Sequence, residues 1–265
     1  MRKNGLLSLI YHSIFIAFIL APLVVVVLVS FTSKGYISMP TDGFSLRWFR
    51  AIGGASELVA AFWLSLWLGL ASATVAVVLA VPAALALVRY RFPGRGVLTA
   101  FFMSPLMIPH VVLGVAFLRF FSTAGITGSF FWLALTHVVV VMPYALRLVL
   151  ASATGLDRDA EKAALSLGAS RATAFRRIVL PLILPGVVGG WMLAFIQSFD
   201  ELTMTVFVAT PGTTTLPVAM YNQIANTIDP LVASVSTVLI AGTLVLMVLL
   251  DRIVGLDRVL IGKGS

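Results

Sequence analysis

Two adjacent acidic residues, Asp200 and Glu201, interrupt a long apolar run and could bind a cation. A carboxylate at the centre of a membrane-spanning helix costs about 2.5–3.5 kcal/mol on insertion scales, so it must face a cavity or a partner. On a continuous helix Gln197, Glu201 and Thr205 form one polar stripe, and Asp200 points about 100° away. We expect Gln197, Asp200 and Glu201 to line a path for a cation. The alternative is a structural role, with the acids bonded to a neighbouring helix or lying at the aqueous boundary.

A second polar segment, residues 152–185, is too long and polar for a plain connection between helices. Asp157 is a good N-cap for a short helix, which Gly168 is expected to end. Ser170 can cap a second helix, which we expect Pro181 to stop. The pattern predicts two short helices joined by a glycine bend. This hairpin either lies on the membrane surface or docks a partner.

The elements that must position these residues are membrane-spanning helices. The chain has 265 residues, of which 60% are apolar and only 11% charged, and its mean hydropathy is +1.07. This composition excludes a soluble globule, which has about a quarter charged residues. A spanning helix needs about 20 apolar residues, so six predominantly apolar stretches, each with at least 21 uncharged residues, predict six spans. We place them at about 9–31, 62–87, 98–120, 130–150, 186–208 and 231–251, in a single all-α transmembrane domain over residues 1–265.

The distribution of lysine and arginine predicts the orientation. With the N-terminus inside, 14 of the 18 basic residues lie on the cytoplasmic side and four outside. Cytoplasmic loops carry this excess in membrane proteins, so we expect both termini in the cytoplasm and a multi-pass protein of the bacterial inner membrane. The same excess explains the net charge of +8. We therefore expect no nucleic-acid partner.

Metal and nucleotide chemistry find little support in the sequence. The chain has no cysteine, and His12, His110 and His137 lie on three different predicted spans, where helix contacts explain them better than a metal site. No phosphate-binding loop of the form Gly-x-x-x-x-Gly-Lys-Ser/Thr is present. The spacing Gly186-x-x-x-Gly190 is typical of close helix packing in membranes. We therefore predict no metal site and no catalytic residue in this chain.

The segment 152–185 resembles the EAA loop of ATP-binding-cassette importer permeases. That pattern is Glu-Ala-Ala, three residues, Gly, nine residues, Ile-x-Leu-Pro. The sequence matches it with Lys162-Ala163-Ala164-Leu-Ser-Leu-Gly168 and Ile178-Val-Leu180-Pro181 at every fixed position but one. Lys162 stands at the glutamate position, and Glu161 lies one residue earlier, about 100° around the helix.

This resemblance implies the type I importer permease (MetI-like) fold, with the loop seated in a cleft of a cytoplasmic ATPase. The implied partners are a second and usually different permease, two ATPase subunits that bind ATP and magnesium, an external substrate-binding protein and membrane lipid. The chain itself is then no enzyme and holds no cofactor. The residues expected to couple it to the ATPase are Glu161, Lys162, Ala163, Ala164, Gly168 and Arg171.

Three further runs resemble the spermidine/putrescine branch of these permeases. They are Ser198-Phe199-Asp200-Glu201, Thr214-Thr215-Leu216-Pro217 with Tyr221-Asn222-Gln223, and Gly43-Phe44-Ser45-Leu46-Arg47-Trp48-Phe49. The branch implies import of a small cationic solute such as a polyamine. Its relatives carry opines, aminophosphonates or other small amines and acids, which is the first alternative.

Two rival functions belong to other classes. A gradient-driven secondary transporter would use intramembrane acids without an ATPase, but such folds usually show internal repeats, and none is convincing here. A membrane scaffold that transports nothing would have no reason to keep adjacent acids within a span.

Overall fold

The structure is a computed structural model that describes residues 5–254, and every regular element in that range is helical. A 3₁₀ turn at Ser104–Leu106 and a π turn at Phe175–Val179 accompany twelve α-helices. These helices are α1 Leu6–Val29, α2 Arg47–Ile52, α3 Ser56–Arg89, α4 Arg95–Met103, α5 His110–Ala124, α6 Phe130–Thr154, α7 Asp159–Ser166, α8 Arg171–Ala174, α9 Leu180–Phe199, α10 Thr205–Val208, α11 Leu216–Asn226 and α12 Pro230–Val254.

The chain is divided into two compact units. One comprises the described residues up to Ala60 together with Ala219–Leu250, and the other contains Ala61–Val218. The first unit holds α1, α2 and most of α12, and the second holds both polar segments singled out above. One permease domain over 1–265 stays a prediction.

In the first unit, α12 is fastened to the end of α1. The Ser234 hydroxyl donates a hydrogen bond to the Ser30 carbonyl at 3.2 Å, and both residues are fully buried. Most of α1 is exposed, since only 6% of its most apolar stretch is buried within the chain. Its large apolar side chains therefore face lipid or another subunit.

The loop between α1 and α2 is held by polar contacts. The Trp48 indole donates to the Lys34 carbonyl at 3.1 Å, and the Lys34 ammonium lies 2.9 Å from the Asp42 carboxylate. The hydrogen bond to Asp42 raises the pKa of Lys34 above its ordinary value, with a smaller contribution from Tyr36. The Lys34 side chain therefore stays protonated at neutral pH.

The core of the second unit is built from small side chains on three long helices. Small residues let helix backbones approach closely in a membrane, where packing and hydrogen bonds replace the hydrophobic effect. The fully buried members of the core are Ala73, Ala76, Ala80 and Ala84 of α3, Val141, Ala145, Leu146 and Val149 of α6, and Ala194 of α9.

The closest helix contact joins α6 and α9 at the Gly186-x-x-x-Gly190 motif, which confirms its predicted packing role. A Cβ atom on Gly186 would lie 2.6 Å from the Leu148 carbonyl oxygen. A Cβ atom on Gly190 would lie 3.1 Å from the Ala145 carbonyl oxygen. Any side chain at Gly186 must therefore push the two helices apart.

Long apolar helices account for four spans of the described residues. They are Leu7–Val29, Ser56–Arg89, Phe130–Thr154 and the continuous helical stretch Arg171–Phe199. A fifth is present if the bent pair α4–α5 counts as one span. In α12 the described apolar stretch, Pro230–Val245, is shorter than a usual span. Six spans therefore stay a prediction.

The span predicted over 98–120 is not one continuous helix. The chain bends by 96° between Arg95–Leu106 and His110–Ala124. Two prolines account for the break, because neither Pro105 nor Pro109 has an N–H to donate. Pro109 has extended rather than helical backbone angles and caps α5.

The prediction that Pro181 ends the second loop helix is also wrong. The helical stretch continues from Arg171 through Pro181 to Phe199. A π turn at Phe175–Val179 comes directly before the proline. A π turn locally rearranges the backbone hydrogen bonds of a helix. The helix can therefore continue through a proline, which has no N–H to donate. The loop is therefore continuous with the fifth span.

The fifth span ends earlier than its predicted limit of 208. Helix α9 stops at Phe199, and Asp200 is its C-cap. The Glu201 carboxylate accepts a hydrogen bond from the Met204 backbone N–H at 2.5 Å, which competes with continuation of the helix. The predicted polar stripe of Gln197, Glu201 and Thr205 on one helix is therefore wrong.

Candidate functional site

The loop between α6 and α9 contains the predicted helix–bend–helix arrangement. Helix α7 begins at Asp159, and the Asp157 carboxylate accepts its backbone N–H at 2.9 Å. Gly168 follows α7 with φ +88°, a left-handed conformation that favours glycine. The Ser170 side chain then caps α8 by accepting the Thr173 N–H at 3.2 Å. The local sequence signals therefore gave the bend correctly.

The residues predicted to couple the chain to an ATPase lie on two faces of this loop. Lys162, Ala163, Gly168 and Arg171 are exposed, and Glu161 is half-buried. An open groove of about 420 Å³ lies between α7 and the next helix. Its lining residues are Ala164, Leu167, Gly168, Ala169, Thr173, Ala174, Arg177 and Ile178. This surface offers small side chains and a cationic edge, and its coupling role stays a prediction.

The two adjacent acids occupy different environments in the turn after α9. Asp200 is exposed, whereas Glu201 is only 7% exposed. The Glu201 carboxylate accepts the Met204 N–H and lies 2.8 Å from Nδ1 of His110, at the start of α5. Gln197 is half-buried near the end of α9. Asp200 is therefore the more accessible of the two carboxylates.

A second histidine fixes the same turn from α6. His137 is fully buried, and its Nδ1 lies 2.8 Å from the Ser198 hydroxyl. Its Nε2 lies 3.1 Å from the Thr205 hydroxyl on the other side of the turn. A neutral imidazole donates from one nitrogen and accepts at the other, and the two hydroxyls can satisfy either tautomer. Segment 198–205 is thus tied to both α5 and α6.

No group of three or more histidines or carboxylates within residues 5–254 could hold a metal ion. Two of the three histidines, His110 and His137, make helix contacts of the kind that the sequence favours.

Residues 76–256 match the family described as the inner membrane component of binding-protein-dependent transport systems. The match covers more than half of the chain and includes both polar segments. The chain belongs to this family. The predicted membership of the importer permeases is therefore confirmed, and the protein is a multi-pass inner-membrane permease.

Named relatives are similar to this permease over almost its whole length. The spermidine/putrescine transport system permease protein PotC of Haemophilus influenzae is 31% identical over 93% of this chain and 94% of the relative. PhnV of Salmonella paratyphi A, whose name assigns it to 2-aminoethylphosphonate transport, is 34% identical over 91% of each chain.

Solved structures support the fold of the permease. A chain of a bacterial ABC transporter that imports the acidic polysaccharide alginate superposes with a TM-score of 0.72. The two chains are 13% identical, and the match covers 96% of this chain and 98% of the other. At this identity the likeness shows the fold alone.

Sequence reasoning missed two partners of the site residues. Arg89, at the end of α3, binds Glu161 of the loop. His110 binds Glu201 across 91 positions of the sequence. No local motif predicts either pair, because each pair joins residues from elements that are far apart in the chain. The apolar surroundings of His110 are the one signal that the sequence offered.

Proposed function

We propose that this permease is the transmembrane subunit of an ATP-driven importer for a small cationic solute, most specifically a polyamine. The observation that carries the proposal is the preformed loop of α7, Gly168 and α8 in a member of the permease family. Lys162 and Arg171 are exposed on this loop, and the same loop lines an open groove, so another subunit can contact both. Closure of two such subunits on ATP would pull on the loop and reorient the spans, and hydrolysis would then reset the path inward.

Six spans agree with this function. We propose α1, α3, the pair α4–α5, α6, α8–α9 and α12 as the six. The 25 residues of α12 reach about 37 Å, which is enough to cross the hydrocarbon core. An even number of spans puts both termini on the same side as the basic loop after the fourth span, and the excess of Lys and Arg assigns that side to the cytoplasm. The terminal residues themselves lie outside the described range.

ATP-driven import by this permease would require partner subunits that bind ATP and deliver the solute. Its sequence has no phosphate-binding loop, so ATP and magnesium would bind two ATPase subunits rather than this chain. A second permease would complete the path, and we propose a different paralogue for it. An external binding protein would deliver the solute, as the family description implies. The permease itself then has no catalytic residue and no cofactor.

The polyamine assignment rests on the relatives and on the accessible carboxylate. PotC is named for spermidine and putrescine, and PotI of Escherichia coli, which is 32% identical, for putrescine. Asp200 offers an exposed carboxylate on a turn that two histidines fix, and Gln197 lies one turn earlier on α9. An ammonium group binds a carboxylate through charge-assisted hydrogen bonds.

The similarity to PhnV favours one alternative substrate class. An aminophosphonate also carries an ammonium group, but its phosphonate would be repelled by Asp200 and needs a cationic partner. An opine or another small amine is the related possibility. A gradient-driven secondary transporter is the alternative mechanism.

Reconstitution tests substrate and mechanism together. The permease is expressed with its neighbouring transport genes, purified in mild detergent and placed in liposomes with the binding protein. We expect an ATPase to copurify, and spermidine or putrescine to stimulate both hydrolysis and uptake. A hydrolysis-deficient ATPase is the control and should abolish uptake.

Each failure has a distinct meaning. Stimulation by 2-aminoethylphosphonate or an opine but not by polyamines would overturn the substrate assignment alone. Uptake driven by an ion gradient without ATP would overturn the importer mechanism.

A further inference from the structure

The last residue of α3 and the third residue of α7 form a two-point ion pair. The Arg89 Nη1 and Nη2 atoms donate to Oε1 and Oε2 of Glu161 at 3.0 and 2.7 Å. The two side chains are only 21% and 17% exposed. Both carboxylate oxygens of Glu161 are engaged, so this side chain is committed within the chain.

A second contact joins the same two elements. Nη2 of Arg158, which precedes α7, lies 3.4 Å from the Val88 carbonyl oxygen. That carbonyl belongs to the last turn of α3, where carbonyl groups have no partner within the helix. The beginning of α7 is therefore tied to the end of α3 by two arginines, one from each side.

The neighbouring charges of α7 behave differently. The Lys162 ammonium lies 2.9 Å from the Asp159 carboxylate, but the side chains are 69% and 79% exposed and belong to one helix. Exposed pairs of this kind contribute little. Lys162 points about 100° away from Glu161 around the helix. The outward charged face of α7 thus carries Lys162, and the inward face carries Glu161.

The connections of α7 along the chain cannot transmit force well by themselves. An eight-residue helix is marginal in isolation, and α7 is joined to its neighbours through Gly155 on one side and Gly168 on the other. A push on α7 would be absorbed at these glycine-containing connections unless a side-chain contact held the helix.

We infer that Arg89 and Glu161 are positioning residues that lock α7 onto the end of α3, so that movement of the loop passes directly into this membrane helix. The inference rests on the proposed function and refines it. Glu161 acts inside the permease, and the ATPase meets the face that carries Lys162.

Paired substitutions test the lock in the reconstituted complex. Glu161→Gln and Arg89→Gln each remove one partner, and the exchange Arg89→Glu with Glu161→Arg restores opposite charges. Glu57→Gln is the matched control, since it removes an exposed carboxylate at the other end of α3, away from the loop. The quantities measured are copurified ATPase, the rate of ATP hydrolysis, and solute taken up per ATP hydrolysed.

We expect the single variants to retain the ATPase but to lose uptake per ATP by at least about fivefold, the range of a typical coupling between two sites. The exchanged pair should recover most of this loss, and Glu57→Gln should match the wild type. Wild-type uptake per ATP in both single variants would overturn the lock. Loss of the copurified ATPase without recovery in the exchanged pair would also overturn it, by making Glu161 an ATPase contact.

A structural readout separates the lock from the proposed function. Hydrogen exchange of the α7 amides is measured on the purified permease and needs no transport. Faster exchange in both single variants, reversed in the exchanged pair, is the expected result. Exchange equal to the wild type would refute the lock even where transport is ATP-driven. A wild-type complex without ATP-driven uptake would refute the proposed function instead.

A cross-link tests the lock in a way that does not depend on how well the single variants fold. The chain contains no cysteine, so Arg89→Cys with Glu161→Cys introduces one unique pair. Uptake per ATP should be low before a short bismaleimide joins the two thiols and should rise after it. A cross-linked complex that stays uncoupled would contradict a lock that remains closed through the cycle.

Discussion

Asp200 and Glu201 are neighbours in the sequence but make different contacts. The Glu201 carboxylate is bonded to His110 and to the Met204 N–H, whereas Asp200 is exposed at the end of α9. A substitution that keeps the shape and removes the charge should therefore affect substrate binding at one position and folding at the other.

Asp200→Asn should raise the KM of polyamine uptake about tenfold or more, because a hydrogen bond to a charged group contributes about 1.5–3 kcal/mol. Its melting temperature should stay at the wild-type value. Glu201→Gln should lower the melting temperature, because it weakens the contact with His110. Uptake kinetics and thermal unfolding in detergent check both.

Glu57→Gln is the control for this pair, since it removes an exposed carboxylate at the start of α3. It should leave KM unchanged. An unchanged KM in Asp200→Asn, with a raised KM in Glu201→Gln, would contradict the assignment.

His137 makes a second prediction at the same scale. His137→Phe keeps a buried ring but leaves the Ser198 and Thr205 hydroxyls without their partner. We expect a loss of about 1–3 kcal/mol in the free energy of unfolding, measured by denaturation in mixed micelles. His12→Phe, on the exposed face of α1, is the control and should have no effect. Equal stability of both variants would show that the hydroxyls find other partners.

Sequence reasoning identified these acids but not what they contact. An acid within an apolar run predicts a partner or a cavity, and the structure provides a partner for Glu201 and exposure for Asp200. The choice between them depends on His110, which is 91 positions away. Neither the spacing of charges nor the helical periodicity can predict a contact between residues so far apart in the sequence.

At the scale of elements, the contact between α6 and α9 gives a prediction with an internal control. Gly186→Ala would place its Cβ 2.6 Å from the Leu148 carbonyl oxygen and should cost about 1–3 kcal/mol of stability. Gly189→Ala meets nothing closer than a Leu148 methyl carbon at 3.7 Å. It should be neutral or stabilising by up to about 1 kcal/mol, since alanine favours helices.

Thermal melting of the two variants in the same detergent checks the difference. Equal melting temperatures would mean that α6 and α9 can separate without cost.

The predicted helices agree with the structure where the length of an apolar run determines their ends. They differ where prolines or side-chain hydrogen bonds determine them. The uncharged runs placed the ends of α1 and α6 within four residues and those of α3 within six. Pro109 breaks the third span, and Pro181 does not break the fifth, because a π turn precedes it. A proline therefore predicts where the hydrogen bonding of a helix is interrupted. Whether the helix ends there depends on the surrounding hydrogen bonds.

At the scale of the whole molecule, the orientation is open to chemical labelling. The chain has no cysteine, so single residues can be introduced at exposed positions without background. With the basic loops in the cytoplasm, Thr41→Cys should react with a membrane-impermeant maleimide in intact cells. Ser166→Cys, on α7, should react only after the membrane is opened. The reverse pattern would invert the proposed topology.

The fold class follows from the sequence, but its detailed geometry does not. A structure with 13% identity superposes at a TM-score of 0.72, so this arrangement of helices tolerates nearly complete replacement of side chains. The pattern of apolar runs is what such distant sequences share. Arg89 and Glu161, by contrast, are 72 positions apart in the sequence, and their contact is visible only in three dimensions.

The part of helix α3 that lies in the second unit makes two contacts, one near each of its ends. The Ser65 hydroxyl accepts the Leu216 N–H at 2.7 Å, and Arg89, 24 residues further along, holds Glu161. A helix rises 1.5 Å per residue, so the two contacts lie about 36 Å apart along its axis. A rod of that length that tilts by about 10° at one end displaces the other by about 6 Å. On the proposed lock, α3 would act as a lever, and a small rotation of the loop would become a shift of several ångströms near Leu216.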